Sequence, residues 1–177
     1  MRMTENQRRA RARRLVLGLG SNLGDRDAHL RDCRNALEAQ RIARIDRVSS
    51  VWETVAVGPV QPDFLNQVLV ATTELSAREL LVALKALESL LGRHPTFERW
   101  GPRAIDIDII DYDGEILRSD ALTLPHPELA ERRFVLGPWA ELERDYSVPG
   151  LGATVGELLA RLPVVPAEIP PHFSSRG

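Results

Sequence analysis

Two aspartates, Asp106 and Asp108, are separated by a single isoleucine inside the run Ile105-Asp106-Ile107-Asp108-Ile109. The isoleucines read as one buried face of a strand. Aspartate is depleted from strands, so two of them on the opposite face need a reason. Side chains at i and i+2 of a strand share a face, about 6.6 Å apart along the chain. Carboxylates so placed repel unless a cation sits between them. Hard oxygen donors suit Mg²⁺, which is commonly held by one or two carboxylates together with phosphate oxygens. The plain alternative is a solvated strand face that happens to carry acids. The flanks add cationic partners: Arg99 and Arg103 precede the strand, Arg132 and Arg133 follow it, and Arg93 lies in the preceding loop. Guanidinium forks match phosphate geometry, so arginines around a carboxylate pair suit a polyphosphate.

A second constellation is "QPDFLNQV", where Phe64 and Asn66 share a face of another strand. A ring beside an amide can hold a flat heterocycle, the ring by stacking and the amide by pairing with the heterocycle's donor and acceptor edge. The alternative is a core aromatic and an Asn near a strand end. "GLGSNLGD" (18–25) is neither a Walker A loop nor the dinucleotide fingerprint: no Lys-Ser/Thr follows its glycines, and its third glycine falls one residue late. It reads as a tight strand-to-helix turn. His126 sits in a loop between two prolines, a residue type that could contact a phosphate. Cys33 falls on the apolar side of a helix and reads as packing.

The elements that must position these residues follow from periodicity. A strand covers 14–20, and helical spacing of Leu30, Cys33, Ala36 and Leu37 marks a helix over 28–40. Residues 43–54 read as one strand, 55–63 as a loop and 64–75 as a strand. Ser76 and Glu79 form a capping box opening a helix through Leu91. The aspartate strand follows a polar loop and ends at the Asp113-Gly114 turn. Pro125 and Pro127 interrupt the chain before a short helix, and Thr154 with Glu157 caps a last one. Strand, helix, strand, strand, helix, strand is the order of an α+β, ferredoxin-like split βαβ core. The expectation is a mainly antiparallel sheet with its helices on one face, plus a C-terminal hairpin and helix region. Residues 1–14 read as a basic, disordered arm, 15–162 as one domain and 163–177 as a proline-rich tail.

Composition narrows the class. Of the 177 residues 44% are hydrophobic and 27% charged, which suits a globular protein with an ordinary core. No apolar run is long enough to span a bilayer, and a cytoplasmic location is expected. Cys33 is the only cysteine, which excludes an intrachain disulfide and a cysteine-rich metal site. The net charge of −2 hides six arginines and one acid in residues 1–14, leaving 17 basic against 24 acidic residues in the body. An acidic body gives a basic arm no extended surface for nucleic acid, so no nucleic-acid partner is expected.

Taken together, "LGLGSNLGDR", "VSSVWET", "QPDFLNQVL", "ERWGPRAIDIDII" and "LTLPHPELAERRFVL", in that order, resemble the 6-hydroxymethyl-7,8-dihydropterin pyrophosphokinases of folate biosynthesis over Leu15 to Leu162. The resemblance implies a reaction in which the terminal diphosphate of ATP moves to the hydroxymethyl group of a reduced pterin and AMP leaves. It also implies two Mg²⁺ ions on Asp106 and Asp108. By position, Arg93 and Arg103 would clamp the phosphates as the catalytic cations. Glu88, Arg93, Trp100, Arg103, Ile109, Thr123, His126 and Arg132 would line the ATP site. Thr54, Val57, Phe64, Asn66, Trp100 and Phe134 would hold the pterin, its ring between Phe64 and Phe134. "GSNLGD" would shape the floor. The chain departs from the family's pattern at Val55, where proline is frequent, and at Pro95, where some relatives carry a second loop arginine. A monomer is expected. Two other classes fit the bare residues: a Mg²⁺-dependent phosphohydrolase using the same aspartates, and a non-catalytic ferredoxin-like ligand-binding domain.

Overall fold

A computed structural model describes residues 12–56, 60–92 and 101–164. β1 (Arg13–Ser21) leads into α1 (Arg26–Ala39), then β2 (Arg44–Val48), β3 (Trp52–Thr54) and β4 (Phe64–Thr73). α2 (Ala77–Leu90) and β5 (Asp106–Tyr112) complete the core. Two short strands, β6 (Leu117–Arg118) and β7 (Thr123–Leu124), are followed by a 3₁₀ turn (Leu129–Glu131) and α3 (Arg133–Glu143). β8 (Ser147–Val148), β9 (Ala153–Thr154) and α4 (Val155–Arg161) finish the described chain. The main sheet runs β2-β4-β1-β5, with β3 also paired to β4, and every pairing is antiparallel. This is the expected ferredoxin-like order, with β1 and β4 central.

Alternation along β1 divides the interior into two cores. Leu15, Leu17 and Leu19 face α1 and α2, packing with Leu30, Cys33, Leu37, Leu80, Leu84 and Leu87. Cys33 is a packing residue, as expected, and burial pushes its thiol up to about 12. Val16 faces the other way, joining Val68, Ile110, Leu136, Trp139 and Leu158. The two helices of the split βαβ core, α1 and α2, cover one face as expected, and α3 and α4 of the C-terminal region cover part of the other. The sequence carries a trace of this in β4, where Leu65 to Ala71 are buried without a break, as strands covered on both faces are. α3 reaches the sheet closely because Gly137 has no side chain. A Cβ there would overlap the indole of Trp52 on β3.

Residues 43–54, expected as one strand, form two. Ser49 interrupts the ladder: its backbone N–H donates to the Val68 carbonyl (3.0 Å), while its Oγ accepts from the Val68 N–H (2.9 Å). Glu141 of α3 takes the Ser50 N–H and hydroxyl at 2.9 and 2.7 Å. The register of β5 on β1 shifts between Val16 and Leu17, which pair with Asp111 and Ile109 respectively, so Ile110 is an extra residue on β5. Such a bulge turns two successive side chains toward one face. The capping boxes at Ser76 and Thr154 form as read. The Asp113-Gly114 turn has φ of 52° and 70°, both positive as in a type I′ turn, and is closed by the Glu115 N–H on the Tyr112 carbonyl (2.9 Å).

β1 begins inside the stretch read as an arm. Arg13 pairs with Asp113 at 2.7 Å. Arg14 pairs with buried Asp111 at 2.7 Å and with Glu143, and stacks 4.0 Å over the Tyr146 ring. These two arginines belong to the sheet. Residues 1–11 of the arm and 165–177 of the tail lie outside the described residues.

Candidate active site

On the face of the sheet that α3 partly covers, one cross-strand row runs out from beneath that helix. Gly20 of β1 lies opposite Asn66 of β4 on one side and Asp106 of β5 on the other, and Asn66 lies opposite Trp52 of β3. One step along, Gly18 pairs with Val68 and Asp108. Two inter-strand spacings separate Asn66 from Asp106, roughly 10 Å, and the strand between them has no side chain there. A Cβ on Gly20 would sit 3.5 Å from Asn66 Oδ1, 3.6 Å from Phe64 Cδ1 and 4.0 Å from Asp106 Cβ. Room exists for a methyl, and a larger group would fill the trough. Gly20→Val is therefore expected to change unfolding free energy by less than about 1 kcal/mol, the span of strand preferences, while binding of any ligand lying across the row falls at least tenfold. Denaturant melts and equilibrium titration check the two halves.

On the β4 side, Asn66 and Thr54 are nearly buried, and the Asn66 amide donates to the Thr54 hydroxyl at 2.7 Å. Phe64 is half-buried on the same strand face, and Phe134 is half-buried at the start of α3. The 5.7 Å approach of the Arg132 guanidinium to the Phe134 ring ties that ring to the cationic side of the trough.

On the β5 side, both carboxylates are held by arginine. Arg103 donates to Asp106 Oδ2 at 3.1 Å, and Arg132 to Asp108 Oδ2 at 2.9 Å. The expected repulsion between bare carboxylates is thus offset by the chain itself. Arg132 also reaches Glu128 at 2.7 Å, and Arg103 Nε donates to the Gly101 carbonyl at 3.2 Å. Among the described residues no group of three or more His, Cys, Asp and Glu side chains could cage a metal ion. A pair of partly exposed carboxylates, 24% and 33%, fits a cation that takes its remaining ligands from water and phosphate, as Mg²⁺ does.

The other expected nucleotide residues divide. Thr123 and His126 border a cleft of about 650 Å³ that also touches Arg118, Pro149 and Leu151. Burial, then the Arg132 charge, holds the His126 pKa below its usual value. Its Nδ1 accepts the Glu128 N–H at 3.2 Å, leaving the proton of the neutral ring on Nε2. Ile109 points its side chain into the α1–α2 core, so only its backbone can meet a ligand, at the outer edge of β5. Glu88 is buried on α2, its Oε1 accepting the Ile107 N–H at 2.7 Å and its Oε2 the Lys85 ammonium at 3.0 Å. Burial raises its pKa. It fastens the edge of the strand that carries the aspartates, a role that spacing could not reveal. Arg93, Trp100 and Val57 lie outside the described residues.

Sequence reasoning also missed Asn22. Its side chain is buried and bonds Gln61, Pro62 and Arg103. The available signal was its place in "GSNLGD", read as a turn from the residues and as part of the site's floor from the resemblance.

The family model described as "7,8-dihydro-6-hydroxymethylpterin-pyrophosphokinase (HPPK)" matches residues 16–144. A 2-amino-4-hydroxy-6-hydroxymethyldihydropteridine pyrophosphokinase of Aquifex aeolicus is 44% identical over 130 residues, 73% of this chain and 79% of that one. A protein of the same name from Methylorubrum extorquens is 41% identical over 150 residues, 84% and 93% of the two chains. Among solved structures, Plasmodium falciparum HPPK-DHPS with pteroate shares the fold at a TM-score of 0.67 and 16% identity, over 85% of this chain. This chain spans 42% of that larger one. The cross-strand row, the arginine-held carboxylates and these matches converge: the chain belongs to the 7,8-dihydro-6-hydroxymethylpterin-pyrophosphokinase family, whose members are ATP-dependent pyrophosphokinases.

Proposed function

We propose that this chain transfers the terminal diphosphate of ATP to the hydroxymethyl group of 6-hydroxymethyl-7,8-dihydropterin and releases AMP. The observation that carries the reading is the Asn66–Gly20–Asp106 row. In this reading Asn66 marks the heterocycle side and Asp106 the carboxylate side, with Gly20 between them leaving the space open. Thr54 and Asn66 pair with the polar edge of the pterin, and Phe64 and Phe134 enclose its faces. Val57 and Trp100 belong to the same pocket in this reading. The pterin hydroxyl then points along the row toward Asp106. Its oxygen bonds to the β-phosphorus and gives up its proton to solvent water, the bond from that phosphorus to the α–β bridging oxygen breaks, and AMP departs with that oxygen.

Asp106 and Asp108 hold two Mg²⁺ ions, which when bound neutralise phosphate charge and act as Lewis acids. Arg103 and Arg132, paired with those aspartates here, gain phosphate oxygens as partners once nucleotide is present. Arg93 supplies a further clamp. His126 offers its Nε2–H as a neutral donor, and Thr123 lines the same bank. The backbone of Ile109 faces the nucleotide. Glu88 acts on ATP through β5, by holding the Ile107 amide. Such a site works by positioning and fixed charge.

The test is a product assay with ATP, Mg²⁺ and the reduced hydroxymethylpterin. AMP formed only when pterin is present is the expected result. ADP or phosphate formed without pterin would instead indicate a hydrolase, and no turnover a binding domain. Asn66→Ala separates the two pockets. Losing a hydrogen bond to a buried partner costs about 1–3 kcal/mol, so pterin affinity falls roughly 5- to 150-fold while ATP affinity stays within twofold. Calorimetric titration of each ligand alone measures both.

A further inference from the structure

We propose that Asn22 is a positioning residue that couples the two halves of the site, so that occupancy of one bank favours occupancy of the other. The inference rests on the pyrophosphokinase reading above. Asn22 is 1% exposed at the end of β1. Its Nδ2 donates to Gln61 Oε1 and to the Pro62 carbonyl, both at 3.0 Å. Its Oδ1 accepts the Arg103 N–H at 2.7 Å, and its own N–H donates to the Arg103 carbonyl at 3.1 Å. Gln61 and Pro62 lead into Phe64 and Asn66, the heterocycle side. Arg103 leads into Asp106, the phosphate side, and itself holds that carboxylate. One planar amide therefore fixes the approaches to β4 and β5 relative to each other, using its donor and acceptor ends in opposite directions.

The chemistry of the amide makes this arrangement specific. Aspartate at 22 keeps an oxygen for the Arg103 N–H but turns an acceptor toward the Pro62 carbonyl, and Gln61 can meet it only by turning its amide over to donate. The phosphate-side bond survives and the bond to the Pro62 carbonyl is lost. A second tie to the same segment provides a control. Arg26 donates to the Asp63 carbonyl at 2.8 Å and pairs with Glu53 at 2.8 Å. It fastens the approach to β4 to the first helix without touching Arg103 through any of these bonds. If Asn22 only stiffened the fold, loss of either tie would have similar consequences. If it links the two banks, only loss of Asn22 uncouples them.

Coupling is a ratio of affinities and is reciprocal. The probes are 6-hydroxymethylpterin and α,β-methylene ATP with Mg²⁺, since the methylene bridge blocks the bond that must break. In the unaltered full-length chain, saturating nucleotide analogue is expected to tighten pterin binding at least tenfold. In Asn22→Asp and Asn22→Ala that enhancement falls to threefold or less, while each ligand alone binds within about threefold of the parent. Arg26→Ala retains the full enhancement. Melting temperatures of all four proteins are measured alongside, and the Asp variant, which keeps the Arg103 bond, provides the answer if the Ala variant fails to fold. An unaltered chain that turns over but shows no enhancement overturns the proposal, as does an Asn22→Asp chain that keeps it, or an Arg26→Ala chain that loses it equally. Absence of pterin binding and turnover in the unaltered chain would instead overturn the pyrophosphokinase reading beneath it.

Discussion

Asp108→Asn is expected to lower the rate of diphosphate transfer at least about a thousand-fold, several kcal/mol of barrier at about 1.4 kcal/mol per tenfold. The substitution preserves shape and removes the charge that a cation requires. Its structural cost is small, for reasons visible in the fold. Asp108 is one-third exposed, and Arg132 keeps its 2.7 Å partner Glu128 when the bond to Asp108 weakens. A partly exposed ion pair contributes at most about 1 kcal/mol. Single-turnover AMP formation with saturating substrates reads the chemical effect, and urea unfolding the structural one. A variant that unfolds readily, or that retains a tenth of the parent rate, would remove Asp108 from the metal site.

Arg14→Ala is expected to be the most damaging change to stability among the residues discussed. Arg14 is the cation beside Asp111, whose side chain is 1% exposed and whose Oδ1 has no hydrogen-bond partner. Glu143 loses a partner too, though it keeps Arg47 and the Trp139 indole N–H. Stripping one partner from a buried pair costs about 3–5 kcal/mol, and the lower end applies because a quarter of the Arg14 side chain is in water. The loss has a definite pH dependence. Burial raises the Asp111 pKa, and the Arg14 charge is the main influence opposing that rise. A carboxyl whose folded pKa lies above its unfolded value contributes stability that is present at low pH and declines as pH rises through the folded value. Without Arg14 the folded value climbs further and the decline deepens. The gap between parent and variant should therefore be smallest below the usual carboxylate range and widen steadily toward neutrality. Chemical denaturation at about pH 4 and about pH 7 checks it; a gap that is constant, or wider in acid, would remove the charge argument.

The sequence made local rules legible and long-range partners illegible. Capping boxes, the Asp-Gly turn and the isoleucine–aspartate alternation each depend on neighbours within a few residues, and each is found as read. Phe64, Asn66 and the aspartates were identifiable because strand parity places them on faces without any tertiary information. Asn22, the strand-holding role of Glu88 and the ion pair of Arg14 were not, because their partners lie 39 to 81, 19 and 97 residues away, and Glu88 entered only through the resemblance. Arg14 was grouped with the arm by charge, although Asp111 recruits it into the sheet. Ser49 and Ser50 hid the break between β2 and β3, since their ladder substitutes come from their own hydroxyls and from Glu141. Pro125, Pro127 and Pro138 obscured how much of the C-terminal region folds back as a helix over the second face.

The bulge at Ile110 gives β5 something like a reading frame. Before it, even-numbered residues face the trough; after it, odd-numbered Asp111 faces the same side, toward Arg14 and Tyr146. A plain alternating strand could slide by two residues along β1 and keep every isoleucine indoors, with Asp108 then facing Gly20 in place of Asp106. The unpaired Ile110 marks one position along the strand where this is impossible, because a slide would carry the bulge away from Val16 and draw Asp111 from its arginine. Insertions beyond the Asp113-Gly114 turn leave this frame intact. Deleting Ile110 erases the mark and puts either the two aspartates or Asp111 on the wrong side of the sheet. Tolerance to added and lost residues should thus change abruptly within a few positions, from near zero between Ile105 and Asp111 to ordinary in the segment that follows Gly114.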